Sequence, residues 1–236
     1  MAKARAKSAG RQRTYTISLA HRKARGSGYE RMTEITAAAR QLFVELGVEN
    51  VTTREIAGRV GISQTALFTY YKSKDEILDR LMIDAFGELA KSVASVGQAA
   101  ANTADWLRRL IKSYVQFGLT YPDEYRLAFM LVKASKPANT PQSQEQSDAV
   151  RRIAFPIFLQ LEQKIAQAMR DGVVRNDLGS SMLIAQTLWA SMHGLTALLI
   201  ARPRPHFPWE DRDRLIAGQA EIMIGGILAE PSKSRS

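Results

Sequence analysis

Residues 53–78, TREIAGRVGISQTALFTYYKSKDEIL, constrain the fold more tightly than any other stretch of the chain. Thr52 or Thr53 can cap a short helix running to Val60, with Glu55 in its first turn facing the helix dipole. Gly61 ends that helix, and Ser63 can cap a second one from Gln64 to Tyr71. Ser73, with Glu76 three residues on, forms a capping box at the head of a third. Two helices of about two turns joined by Val60-Gly61-Ile62-Ser63 have helix-turn-helix spacing. Gly61 allows the tight turn. Ile56, Ala57, Val60, Ile62 and Leu67 would fill the wedge, and small Ala57 lets the two helices approach closely. In that geometry the second helix turns Ser63-Gln64-Thr65-Ala66 toward a DNA major groove. Glutamine can bond adenine twice, threonine offers a hydroxyl, and alanine can meet a thymine methyl.

The surrounding sequence is helical as well. Met32, Ile35, Ala39, Leu42, Phe43 and Leu46 recur at three- and four-residue spacing, and Gly47 stops the pattern. Ile77, Leu81, Ala85 and Leu89 line one face of the helix after Ser73. Further helices are predicted over about 104–120, 122–133, 145–171, 179–200 and 211–228. Pro122 suits a first helical turn, Pro137 and Pro141 mark a loop at 134–144, and Pro156 should kink the helix that Gly172 closes. Residues 202–208, RPRPHFP, cannot be helical. No alternating β-branched run competes. The expected fold is all-α, with about nine helices. The apolar window Leu183–Ile200 carries Gln186, Ser191 and His193 mid-span and reads as a buried helix rather than a membrane span.

Charge separates the chain into a body and tails. The 236 residues carry a formal +10 and no cysteine. Disulfides, thiolate catalysis and Cys-ligated zinc are therefore excluded. Residues 1–28 hold Lys3, Arg5, Lys7, Arg11, Arg13, Arg22, Lys23 and Arg25 without one acid, and Lys233 and Arg235 lie in 231–236. The remaining basic and acidic side chains, in 29–230, balance. The expected organisation is a disordered basic arm (1–28), a helix-turn-helix domain (29–75), a helical domain (76–230) and a short tail (231–236). A polyanion, nucleic acid above all, is the partner such an arm implies.

Residues 31–78 resemble the TetR family of bacterial transcriptional regulators. The resemblance rests on Phe43-Val-Glu-Leu-Gly47, on Thr52-Thr53-Arg54-Glu55-Ile56-Ala57, on Gly61-Ile62-Ser63, on Leu67-Phe68-Thr69-Tyr70-Tyr71 and on Ser73-Lys74-Asp75-Glu76-Ile77. It implies that Thr53 bonds phosphate at a helix N-terminus, that Tyr70 contacts the DNA backbone, and that Lys74 pairs with a phosphate. The expected DNA-binding set is Thr53, Arg54, Ser63, Gln64, Thr65, Ala66, Thr69, Tyr70 and Lys74. Two positions depart from the family. Phe68 stands where a tyrosine is common, lacks the hydroxyl that could reach phosphate, and is read as a packing residue. Tyr71 brings a hydroxyl to a core position that usually has none.

The C-terminal part carries no phosphate-binding glycine loop, no His-Glu-x-x-His and no Gly-x-Ser-x-Gly, so no enzymatic activity is expected. Trp189-Ala-Ser-Met-His193-Gly194 resembles the Trp-His-Gly pattern of one TetR subgroup, with Trp189 and His193 sharing a helix face. The resemblance further implies a homodimer built by helices 179–200 and 211–228, suited to a palindromic operator in double-stranded DNA. It also implies a pocket for a small-molecule effector, with no cofactor. Its candidate lining is Trp106, Tyr114, Phe117, Tyr121, Tyr125, Phe129, Phe158, Trp189 and His193, with Phe155 and Met169 alongside. Such a pocket would be apolar and aromatic. The implied location is the bacterial cytoplasm, on the nucleoid. The alternative is an architectural protein that binds nucleic acid non-specifically through its basic arm, with steep salt dependence.

Overall fold

A computed structural model describes residues 28–97, 100–131, 141–202 and 206–229. The expectations for the basic arm, for residues 134–140 of the loop and for the C-terminal tail lie outside those residues. Among the described residues are nine α-helices and no β-strand. They are α1 (Gly28–Leu46), α2 (Thr53–Val60), α3 (Gln64–Phe68), α4 (Lys74–Gly97), α5 (Thr103–Thr120), α6 (Pro122–Arg126), α7 (Pro141–Arg170), α8 (Ser181–Ala201) and α9 (Arg212–Ile227). A 3₁₀ turn, Val48–Asn50, links α1 to α2, and a π-helical turn, Leu127–Leu131, continues α6.

Local chemistry sets the boundaries. Thr52, not Thr53, caps α2: its hydroxyl accepts from the Glu55 N–H at 3.2 Å, and the Glu55 carboxylate accepts from the Thr52 N–H at 2.8 Å. That reciprocal pair satisfies two N-terminal amides at once and holds the Glu55 carboxyl below its ordinary range. Gly61 leaves α2 at φ 76°, a left-handed conformation that costs a Cβ-bearing residue energy. The Ile62 N–H returns to the Ala57 carbonyl and the Gly61 N–H to that of Gly58, closing a Schellman end. Three sequence boundaries move. The second helix stops at Phe68 instead of Tyr71, because Thr69 and Tyr70 bond back three residues and the Thr69 hydroxyl donates to the Ala66 carbonyl at 2.7 Å. α7 begins at Pro141 rather than 145, since proline at a helix start gives up an amide that would be unpaired anyway. The helix expected over 122–133 widens into a π turn after Arg126.

Two apolar cores result. The head core joins Ile35, Ala39, Leu42 and Phe43 of α1 with Ile56 and Ala57 of α2, Leu67 of α3 and Tyr71. Val60 and Ile62 pack against it, so the predicted wedge forms as expected, while Leu46 of α1 turns out to solvent. The body core joins α4, α5, α7, α8 and α9 around Leu107, Ile111, Tyr125, Ile165, Leu188 and Ile224. α4 belongs to both: Ile77, Leu78 and Leu81 lie in the head, Phe86, Leu89 and Val93 in the body. The α6 region also bridges them. Leu127 is buried in the head core, whereas Tyr125 is buried in the body core and Phe129 packs against it. Arg40 of α1 pairs with Glu124 of α6 at 2.6 Å across the same seam.

α8 is long and apolar enough to span a bilayer by length and composition. Its Ile184, Ala185, Leu188, Met192, Leu195 and Ile200 are buried against neighbouring helices. The burial expected of this helix holds for one face only. Leu183, Trp189 and Leu198 face outward. α9 likewise buries Ile216, Ala220 and Ile224 and leaves Ile222 79% exposed.

Candidate nucleic-acid interface

The capped ends of α2 and α3 meet on one surface. Ser63 caps α3, its hydroxyl accepting from the Ala66 N–H at 3.1 Å. Gln64, first in α3, donates from Nε2 to Thr53 Oγ1 at 2.9 Å. The contact joins the start of the second helix to the start of the first. It holds the glutamine amide in place before any ligand arrives, so less ordering entropy remains to be lost on binding. Thr53 Oγ1 is used there as an acceptor, which leaves its own proton for a phosphate oxygen. Arg54, Gln64, Thr65 and Thr69 are exposed, and Ala66 and Tyr70 are half-buried. Lys74, half-buried, donates from Nζ to the Val48 carbonyl at 2.7 Å and keeps two more N–H groups for an anion. All nine residues expected to touch DNA therefore fall within one segment of α2, α3 and the start of α4. Phe68 departs from its packing role: it is 44% exposed. Tyr71 is buried, and burial pushes its phenol above the ordinary value.

The body holds a second cluster. Trp189 Nε1 donates to Tyr114 OH at 3.2 Å, Tyr114 OH meets Tyr125 OH at 3.2 Å, and Tyr125 OH meets His193 Nδ1 at 2.6 Å. Indole can only donate, so running every proton in one direction satisfies the chain and leaves His193 protonated on Nε2. Burial pulls the imidazole below its ordinary value and pushes both phenols up, and each shift favours the uncharged form. Phe129 packs against this chain, its centroid 4.9 Å from that of Tyr125 and 5.8 Å from that of His193. Phe158 lies edge-on to Trp189 at 5.9 Å. Trp106 and Phe117 are buried in the same core and Met169 packs against it, whereas Phe155 and Tyr121 turn toward solvent. The candidate lining residues thus meet mainly as packed, mutually bonded side chains. A cleft of about 130 Å³ lies between α1, α4 and α6, lined by Arg40, Leu81, Asp84, Tyr121 and Glu124, and of the candidate lining residues it takes Tyr121 alone.

Residues 35–81 match the family described as bacterial regulatory proteins, tetR family, and residues 107–222 match the tetracyclin repressor-like C-terminal domain. The chain belongs to the TetR family. Relatives of this TetR-family chain include the nucleoid occlusion factor SlmA of Pasteurella multocida, 31% identical over 85 residues, and the tetracycline repressor protein class A from transposon 1721 of Escherichia coli, 31% identical over 96. These alignments cover 34% and 39% of the chain and 43% and 42% of the relatives, so the chain spans about two fifths of the length of each. The crystal structure of the MbdR regulator from Azoarcus sp. CIB is 24% identical, with a TM-score of 0.65 over 84% of this chain and 100% of that one. That likeness is one of fold.

Sequence reasoning missed two features of this TetR-family site. The Gln64–Thr53 bond joins residues 11 apart, and the Arg40–Glu124 pair joins residues 84 apart. Helical periodicity identifies faces but not which exposed polar groups meet across elements. The exposure of Phe68 had no local signal, since adjacent helical positions such as Leu42 and Phe43, or Ile56 and Ala57, are both buried in the same core.

Proposed function

We propose that the protein is a sequence-specific, DNA-binding transcriptional regulator. In this reading it is a repressor that holds a palindromic operator as a homodimer and leaves it when a small, largely apolar effector enters the body. The observation that carries the DNA-reading role is the exposed α3 surface, with Gln64 fixed to Thr53 at the mouth of the helix-turn-helix. Gln64 and Thr65 read base edges. Ser63 and Ala66 set the helix end, and Thr53, Arg54, Thr69, Tyr70 and Lys74 meet the phosphate backbone. A protein with this role works in the bacterial cytoplasm, on chromosomal DNA.

Dimerisation is supported by the outward apolar residues of α8 and α9: Leu183 and Leu198, about half exposed, and Ile222. Two copies of one patch related by a two-fold axis would match two operator half-sites. Effector binding is supported by the neutral Trp189–Tyr114–Tyr125–His193 chain within an aromatic shell, which offers polar anchors and no formal charge. Tyr125 and Leu127 stand two residues apart in different cores, so an effector that displaces Tyr125 also strains the head. Coupling of this kind is typically worth about 1–3 kcal/mol.

The test exchanges Gln64 and Thr65 in the full chain. Discrimination between a selected site and a scrambled duplex should collapse, while weak salt-sensitive binding persists. Unchanged discrimination would refute the role. Eight cations in residues 1–28 favour one second reading, tail-driven binding without sequence preference. It predicts equal affinity for both duplexes from the outset.

A further inference from the structure

The second helix of the helix-turn-helix carries an apolar ring in the middle of a polar surface. With Gln64 set at zero and each residue advancing about 100°, Phe68 lies at about 40°, Thr65 at about 100° and Thr69 at about 140°. All four are exposed, whereas Leu67, at about 300°, is fully buried. In angle Phe68, the last residue of α3, therefore projects between Gln64 and Thr65, the two residues assigned to base edges, and it stands one turn further along the same exposed face. A benzyl group offers phosphate nothing, since it has no donor and no charge. In a major groove, one base-edge group rewards an apolar side chain, the C5-methyl of thymine. The neighbouring polar groups leave room for that contact. Gln64 is drawn toward Thr53, and the Thr69 hydroxyl is turned back onto its own helix.

We propose that Phe68 is a specificity-determining residue that reads a thymine methyl in each operator half-site. This inference rests on the DNA-reading role proposed above.

The experiment selects bound duplexes from a random pool with the full-length protein and with Phe68→Ala. The wild type should return a palindrome containing a thymine at one fixed position in each half. Phe68→Ala should lose that preference and keep the rest of the motif, and Phe68→Tyr, which retains the ring, should keep the thymine. Replacing the implicated thymine by deoxyuridine removes only the methyl. Wild-type affinity should then fall about fourfold per half-site, and about fifteenfold when both are replaced. Phe68→Ala should not distinguish the two duplexes. The deoxyuridine comparison needs no variant, so it decides the matter even if Phe68→Ala folds poorly. A palindrome that wild type binds equally well with deoxyuridine, or whose thymine preference survives Phe68→Ala, overturns the inference and leaves the DNA-reading role standing. A wild type that selects no site overturns both.

Discussion

Replacing Gly118 by alanine would place a methyl group where α5 crosses α8. A Cβ built there falls closer than 3.0 Å to Thr196 Cγ2 and 2.9 Å from Tyr125 Cδ2. Neither neighbour can retreat cheaply. Thr196 is fully buried, and its hydroxyl donates to the Met192 carbonyl at 2.8 Å. Tyr125 is fully buried and tied by its hydroxyl to Tyr114 and His193. Overpacking of this kind costs about 1–3 kcal/mol, and more where two helices are forced apart. Against that, alanine favours a helix over glycine by about 1 kcal/mol. The overlap is severe enough to win, for a net loss of about 2 kcal/mol and a fall in Tm of about 4–8 °C. Gly87, mid-helix in α4 with open space around its Cβ, is the control: Gly87→Ala should hold or raise Tm. Thr196→Ser removes the offending methyl but keeps the hydroxyl, so the double variant should recover most of the loss. The assay is thermal and urea unfolding followed by circular dichroism. A Gly118→Ala chain as stable as wild type, or one that Thr196→Ser does not rescue, would refute the reasoning.

Other perturbations test other parts of the account. Asp79 is held half-buried near Asp75 and Glu76, and burial first, then those two charges, push its carboxyl up to about 6. Its folded pKa exceeds the unfolded 3.8, so the stability it forfeits is absent below pH 3.8, grows as pH rises and is complete above about 6. Asp79→Asn should therefore add about 1–2 kcal/mol at pH 8, after allowance for solvent screening, and nothing at pH 4, as read by urea titration at both values. Thr52→Ala removes one arm of the capping box and should cost about 1 kcal/mol, visible as a lower Tm. Ile222→Arg sets a charge into the outward face of α9 and should convert a dimer to a monomer by sedimentation velocity, with the monomer's helical signal unchanged.

Much of the head was legible because its signals are local. Caps at Thr52, Ser63 and Ser73, the stop at Gly61 and the spacing of Ile56, Ala57 and Leu67 each act within one turn. They fix a helix-turn-helix before any distant contact forms. The body was legible only as helices. The Tyr114–Tyr125 and Tyr125–His193 bonds and the Gly118–Thr196 crossing join residues 11, 68 and 78 positions apart, which periodicity cannot pair. The aromatic cluster on α5, α6 and α8 illustrates the gap. Tyr114, Tyr125, Trp189 and His193 were expected as separate lining groups, and they form one hydrogen-bonded chain in which each polar atom satisfies the next. Phe68 shows the reverse case: a position read by analogy as packing is placed by helix geometry at the centre of the exposed face.

The central claim is that the chain reads a DNA sequence as a symmetric pair. Equilibrium binding of the full-length protein to its selected duplex and to a scrambled duplex of equal length, at physiological salt, tests it most directly. The account predicts at least about a thousandfold preference for the selected site, with two protomers bound per duplex. Equal affinity for both duplexes, vanishing together as salt rises, would contradict it.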